Sequence, residues 1–204
     1  MRIAPYTADQ IDALQEIANV AIGQAGACLA TMLDVYVSLS VPHSRIISVD
    51  ELAGEVAALV GRGPGATAVR QAFFSEFRGE AVVLFDEAGC ACLADLLGHE
   101  GALDQRVEQE LLLDVSNLLV GAVIKGLAEQ LRTDFSFSPP AIMPTHRPLT
   151  ELLQPEQLGW QQALLIEVHF SLEERGFRCH LILVMPEESI ELMRGILDAI
   201  LAEL

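Results

Sequence analysis

Positive charge and cysteine are both scarce in this sequence of 204 residues. Lysine and arginine number 12 against 29 aspartate and glutamate residues, which gives a formal net charge of −17 at pH 7. Because phosphate backbones and anionic lipids repel a chain this acidic, we expect neither nucleic acid nor a membrane surface as a partner. The four cysteines lack the spacing of metal ligands, which predicts no zinc site, and in the cytosol they are expected to be reduced thiols.

Long apolar runs and an apolar leader are also missing. No stretch approaches the about 18 uninterrupted apolar residues of a bilayer-spanning helix, and the first five residues do not resemble a secretion signal. We therefore expect a cytoplasmic protein without membrane segments. Hydrophobic residues make up 51% of the chain and charged residues 20%, which excludes disorder as its main state.

Two segments carry the hydrophobic periodicity of long helices. The first spans about residues 7–33, with Thr7 as its N-cap and Gln10 completing a capping box. The second spans about residues 104–131 and is richer in apolar residues, which indicates deeper burial. Strands are predicted at 35–41, 54–60, 66–77, 81–85, 135–138, 162–172 and 177–185, with further helices at 87–98 and 187–204.

The second half of the chain repeats the order of elements in the first half. A shift of 98 positions superimposes four polar or glycine positions of the long helices: Asp12 on Glu110, Glu16 on Asp114, Asn19 on Asn117 and Gly23 on Gly121. Matching polar positions are informative because apolar periodicity recurs in any two helices. Since no linker rich in Pro, Gly or Ser separates the halves, we predict one domain over 1–204, with pseudo-repeats at about 7–98 and about 104–204.

Each long helix is predicted to present acids and an amide on the face opposite its apolar stripe. Asp12, Glu16 and Asn19 lie within about 60° of one another on the helical wheel, away from the stripe that includes Ile11 and Leu14. A solvated face explains one such stripe. Asparagine and glycine are poor helix formers, however, and their recurrence one turn apart in both helices favours a paired surface site, where glycine allows another backbone to approach.

The sequence resembles the CheC/CheX/FliY family of chemotaxis phosphatases, which also includes the FliM middle domain. The family motif has Asp or Ser, then Glu four positions on, Asn three positions later, and a Pro further along the chain. The two copies here are Asp12, Glu16, Asn19 and Pro42, and then Glu110, Asp114, Asn117 and Pro140. The resemblance covers essentially the whole chain. It implies an α+β fold, namely an internally duplicated CheC-like domain with an antiparallel sheet and two long site-bearing helices.

The resemblance also implies a reaction, the hydrolysis of the aspartyl phosphate of a CheY-type response-regulator receiver domain. Asn19 and Asn117 would orient the attacking water, and Glu16 and Asp114 would pair with a lysine of the receiver. Supporting motif positions are Asp12, Gly23, Glu110 and Gly121. The receiver would supply the Mg²⁺, so the chain is expected to need no cofactor or metal of its own. An acyl phosphate is already activated, so positioning a water is most of what a catalyst must add.

The second motif departs from the family pattern, because Asp114 is one methylene shorter than the expected Glu and Glu110 replaces Asp or Ser. We therefore expect the first site to be the stronger. Two alternatives to an enzyme remain: a non-catalytic receiver-binding or flagellar-switch module like the FliM middle domain, and an adaptor for the deamidase CheD. FliM-like relatives lack the Glu/Asn motif that this chain carries twice, which favours the phosphatase.

Overall fold

The computed structural model describes residues 4–40, 43–48, 51, 54–55, 67–85, 92–95, 104–143, 162–172 and 177–203. Three long helices lie within these ranges: α1 (Ala8–Leu33), α2 (Gln105–Leu131) and α3 (Glu187–Leu201). The strands there are β1 (Ser38–Leu39), β2 (His43–Ser48), β3 (Thr67–Phe74), β4 (Arg78–Phe85), β5 (Ser136–Phe137), β6 (Ala141–Ile142), β7 (Gln162–Leu172) and β8 (Phe177–Pro186).

The eight strands form one antiparallel sheet in the order β1-β7-β8-β4-β3-β5. The strand β7 pairs with both β1 and β2 along the same edge, and β3 pairs in the same way with both β5 and β6. The strands that follow α1 therefore pair with the second half of the chain, and the strands that follow α2 pair with the first half. One pair of hydrogen bonds occurs in both places. The Ser40 N–H donates to the His169 carbonyl at 3.0 Å while Ser40 Oγ accepts from the His169 N–H at 2.9 Å, and Ser138 and Ala72 exchange the same two bonds at 2.9 and 3.0 Å. The fold is thus internally duplicated, as the sequence predicted.

Local signals in the sequence explain where α1 and α2 begin and end. The capping box is confirmed, since the Gln10 N–H donates to Thr7 Oγ1 at 3.2 Å and the Thr7 N–H donates to Gln10 Oε1 at 3.0 Å. The helix α2 begins after Asp104, whose Oδ1 accepts from the Val107 N–H at 2.9 Å. Both helices end at a residue with a left-handed backbone, Asp34 at φ 51° and Arg132 at φ 53°.

The core lies between the sheet and the pair formed by α1 and α2. It contains the inward side chains of β3, β4, β7 and β8, and a smaller apolar cluster lies on the other face of the sheet. The helices are in close contact at Gly126, where a Cβ atom would lie 2.7 Å from the Cα atom of Ala21. Gly23 and Gly121 do not serve this purpose, because no described atom lies within 4 Å of a Cβ built at Gly23, and at Gly121 the nearest is Phe137 Cζ at 3.8 Å. The motif glycines therefore leave space at the surface.

Both core helices are long and apolar enough to cross a bilayer, judged by length and composition alone. In the fold, 44% and 50% of the residues in their most apolar stretches are buried inside the protein. Packing in the core therefore accounts for their apolar character.

Most predicted elements are confirmed, including both long helices, the strands over β3 and β4, and the antiparallel pairing of β7 with β8. Three predictions are wrong. Of the described residues 35–40 in the predicted strand 35–41, only the two of β1 lie in a strand, residues 54–55 are helical, and Ile11, assigned to the buried stripe, is 43% exposed. Short apolar runs do not distinguish helix from strand, which explains the error at 54–55. The rest of the predicted strand 54–60 and of the helix 87–98, apart from helical residues 92–95, lies outside the described residues.

Strand β2 was not expected from the sequence. Among the described strands it pairs with β7 alone, and its six residues are mostly exposed or half-buried, so its hydrophobic pattern is weak. Strands with one paired edge and one solvated face take their position from a partner distant in the sequence, which periodicity does not reveal.

Candidate functional site

The first set of motif residues lies on the outward face of α1. Asp12, Glu16 and Gly23 are exposed and Asn19 is half-buried, while Leu14 on the other side of the helix belongs to the core. Neither the Asp12 nor the Glu16 carboxylate has a hydrogen bond or ion pair with any residue that the structure describes. The helix is therefore held by its apolar face, and its carboxylates remain available to a partner.

The second set occupies the corresponding face of α2. Glu110, Asp114 and Asn117 are exposed and Gly121 is half-buried. Glu110 accepts a hydrogen bond from Arg106 Nη1 at 3.0 Å, one helical turn away. Asp114, by contrast, has no hydrogen bond or ion pair within the described part of the chain. The two arrays therefore match in placement and differ in that the first acid of α2 already has a cation beside it.

The two arrays lie toward opposite ends of the helix pair. Asp12 and Glu16, near the start of α1, line the same groove as Glu129 and Arg132 at the end of α2. The helices are thus antiparallel, and the array on α2 begins near the end of α1. The arrangement provides two separate surfaces on one molecule.

The groove beside the first array has a volume of about 570 Å³. Its described lining comes from α1, α2 and α3: Asp9, Asp12, Ala13, Glu16, Ile17, Glu129, Gln130, Arg132, Ile200 and Leu201. Its one arginine donates to both carboxylate oxygens of Glu203, at 2.9 and 2.6 Å, and the guanidinium lowers the pKa of that carboxyl. The carboxylates of the lining outnumber the cation, so the groove attracts a positively charged side chain.

The amide of Asn117 is held from the sheet below it by Gln71, a residue that the sequence analysis missed. Gln71 lies on the helix-facing side of β3 and is 1% exposed. Its Nε2 donates to Asn117 Oδ1 at 3.1 Å and to the Ser138 carbonyl at 2.8 Å. The available signal was a glutamine between two inward apolar positions, Val69 and Phe73, in a predicted strand.

An exposed aromatic ring borders the second array. Phe137 of β5 is 44% exposed, and its Cζ atom lies 3.8 Å from the position a Cβ atom would take at Gly121. At the corresponding place on the first array, Leu39 packs against Gly26 instead. The second surface therefore has an aromatic side chain at a place where the first has Leu39.

Within the described ranges, no group of three or more His, Cys, Asp or Glu side chains is arranged to hold a metal ion. His169 and His180 meet across β7 and β8, with their Nε2 atoms 2.7 Å apart. They lie on the face of the sheet away from α1 and α2, because the neighbouring residues Val168 and Phe170 face the helices.

No family model and no curated protein sequence matches this chain. Solved structures do match it. FliY from Thermotoga maritima is similar with a TM-score of 0.67 and 18% identity, over 95% of this chain and 98% of that chain. A FliM middle domain from H. pylori has a TM-score of 0.60 and 10% identity, over 94% and 99% of the two chains. A CheX–CheY–BeF₃–Mg²⁺ complex from Borrelia burgdorferi matches with a TM-score of 0.54 and 17% identity, over 87% and 99%.

At these identities the likeness shows the fold. The chain has the α+β fold shared by the FliY, CheX and FliM middle-domain structures, which the sequence resemblance predicted. The likeness extends over nearly the full length of those chains, so the comparison concerns whole folds.

Proposed function

We propose that this chain acts in chemotaxis-type signalling as a phosphatase for the aspartyl phosphate of a CheY-type receiver domain. The observation that carries the proposal is the pairing of an unengaged carboxylate with a neighbouring amide on the outward face of a core helix, at Glu16 and Asn19 and again at Asp114 and Asn117. A receiver as partner is supported by the CheX of the same fold, whose structure is a complex with CheY, BeF₃ and Mg²⁺.

The amides suit the task of orienting a water molecule. An amide both donates and accepts hydrogen bonds, so Asn19 or Asn117 can hold a neutral water in line with the phosphorus atom. The water oxygen forms a bond to phosphorus, the bond from phosphorus to the receiver's aspartate oxygen breaks, and the aspartate leaves as a carboxylate. The protons of the water remain on the released inorganic phosphate. Positioning supplies most of the catalysis in such a reaction.

The carboxylates suit the task of anchoring the helix. Glu16 and Asp114 would each form a charge-assisted hydrogen bond with the receiver's lysine, one turn from the amide. The acidic groove beside Glu16 adds attraction for a cationic side chain. The Mg²⁺ belongs to the receiver in this proposal. Among the residues that the structure describes, the motif acids lie along helix faces, and no group of three or more His, Cys, Asp or Glu side chains is arranged to hold a divalent cation.

The proposal also places the chain in the cytoplasm, in contact with a soluble receiver, and leaves CheD as a further partner suggested by the family resemblance alone. The space at Gly23 fits this proposal, because no described atom lies within 4 Å of its missing Cβ and a partner's backbone can approach the helix there.

The test is phosphate release from phosphorylated, Mg²⁺-loaded receivers of the source organism, with and without the purified chain. We expect faster release for at least one receiver, and loss of the effect when EDTA removes the Mg²⁺. Replacing both amides, in Asn19→Ala/Asn117→Ala, should lower the acceleration by about 10²–10³-fold, since each amide orients a group in the transition state.

Circular dichroism of the double variant is the control, and it should match the parent because both amides lie outside the apolar core. Receiver binding without faster phosphate release would contradict the phosphatase proposal and support a non-catalytic, switch-like module. Unfolding of the double variant would assign the amides a structural role instead.

A further inference from the structure

The residue that holds Asn117 has no equivalent at the first site. The paired hydrogen bonds of Ser138 with Ala72 and of Ser40 with His169 make Ala72 the counterpart of His169. One residue earlier in each strand, Gln71 is therefore the counterpart of Val168. Val168 is 2% exposed and packs in the core. Its hydrocarbon side chain cannot donate to Asn19, and the described structure shows no hydrogen bond to the Asn19 side chain.

Stability alone does not account for Gln71. Its Oε1 atom is buried and has no hydrogen-bond partner among the described residues. A buried acceptor without a partner is destabilising relative to an apolar side chain of the same size. The counterpart position is filled by valine, so the fold accepts an apolar residue there.

We propose that Gln71 is a positioning residue for Asn117 and acts at the second site only, an inference that rests on the proposed phosphatase function. The Gln71 side chain is itself held by its bond to the Ser138 carbonyl. Its second donation, to Asn117 Oδ1, ties the exposed Asn117 side chain to the sheet. The exposed amide is thereby fixed in one rotamer before the receiver arrives, and less conformational freedom is lost when it binds the water.

The experiment measures Gln71→Met in two backgrounds, with phosphorylated receiver in single-turnover assays. Methionine keeps the volume of glutamine and removes both hydrogen bonds. In Asn19→Ala protein, which retains only the second site, we expect the rate at saturating receiver to fall about 3- to 10-fold, as for loss of one neutral hydrogen bond. The half-saturating receiver concentration should stay the same. In Asn117→Ala protein, which retains only the first site, Gln71→Met should not change the rate.

The matched control is Gln10→Met, because Gln10 is also buried but bonds to Thr7 and Asp198, away from Asn117. In Asn19→Ala protein this change should leave the rate of the second site intact. Equal losses from Gln71→Met in both backgrounds would overturn the proposal by showing a general structural effect. Complete inactivity of Asn19→Ala protein would also overturn it, since the second site would then do no chemistry.

Side-chain amide relaxation in NMR supplies a readout independent of catalysis. The Asn117 amide should be ordered in the parent and mobile in Gln71→Met, while the Asn19 amide stays unchanged. Unchanged mobility of Asn117, with the parent enzyme active, would overturn the positioning role alone. A parent without phosphatase activity would overturn the proposed function and with it the catalytic purpose of Gln71, even if the mobility of Asn117 responds as expected.

Discussion

At the residue scale, two differences between the sites bear most directly on catalysis: the length of the anchoring acid and the way in which the amide is held. Asp114 reaches less far than Glu16, whereas Asn117 is held by Gln71 and Asn19 is not. A charge pair that misses its geometry loses about 1–3 kcal/mol, and one neutral hydrogen bond is worth about 0.5–1.5 kcal/mol. The shorter anchor therefore outweighs the better-held amide, and the first site is expected to dominate.

This ranking predicts that Asn19→Ala loses more phosphatase activity than Asn117→Ala. Lengthening the anchor with Asp114→Glu should raise the activity of Asn19→Ala protein, because the carboxylate regains its reach to the receiver's lysine. The rates at subsaturating receiver, which report kcat/KM, are the measurement, because the anchor acts through binding of the receiver. As a control, Asp114→Glu should not change Asn117→Ala protein. Equal losses from the two asparagine variants would show that the second site accommodates the shorter acid.

At the scale of elements, α1 and α2 each pack one face into the core and expose the opposite face to a partner. Their capping residues define where they start and stop, and their apolar stripes set which face is buried. The carboxylates of three motif acids form no hydrogen bond or ion pair within the described fold, namely those of Asp12, Glu16 and Asp114. Substitution of these acids should therefore affect partner binding more than folding.

The contact between the two helices depends on Gly126 in particular. We expect Gly126→Ala to lower the free energy of unfolding by about 1–3 kcal/mol, because its Cβ atom would lie 2.7 Å from the Ala21 backbone and force the helices apart. Gly23→Ala is the matched control, since nothing described lies within 4 Å of its Cβ and alanine favours a helix by about 1 kcal/mol. Urea unfolding followed by circular dichroism measures both. A stabilised Gly126→Ala variant would contradict the close packing.

At the scale of the whole molecule, each half of the chain completes the sheet of the other. The strand β7 receives β1 and β2 from the first half, and β3 receives β5 and β6 from the second. The central pair of β4 with β8 and the packing of α1 on α2 also join the two halves. An internal duplication arranged in this way favours one cooperative unit.

We therefore predict that fragments 1–103 and 104–204 do not fold separately and regain native secondary structure when mixed. An isolated half would expose unpaired strand edges and the apolar faces of its own helices. Circular dichroism and thermal unfolding of each fragment and of the equimolar mixture provide the measurement. A cooperative transition in either fragment alone would contradict the prediction of a single domain.

The sequence by itself determined the features that depend on near neighbours. The start of α1 follows from Thr7 and Gln10, three positions apart, and the shared face of Glu16 and Asn19 follows from helical spacing. The duplicated motif was equally visible, because it repeats residue types at fixed intervals. Capping and helical spacing relate residues within one or two helical turns, and the duplication is a regular interval. All three can therefore be recognised from the order of residues in the sequence.

Only the tertiary structure decided which distant segments meet. The pairing of β2 with β7, the approach of Gly126 to Ala21, and the bond from Gln71 to Asn117, 46 positions apart, leave no periodic trace in the sequence. Such contacts depend on how the two halves exchange strands and on the angle at which α2 crosses the sheet. Local spacing was enough to locate both amides in the sequence. The difference in how each amide is held emerged only from the fold, because it depends on contacts between distant segments.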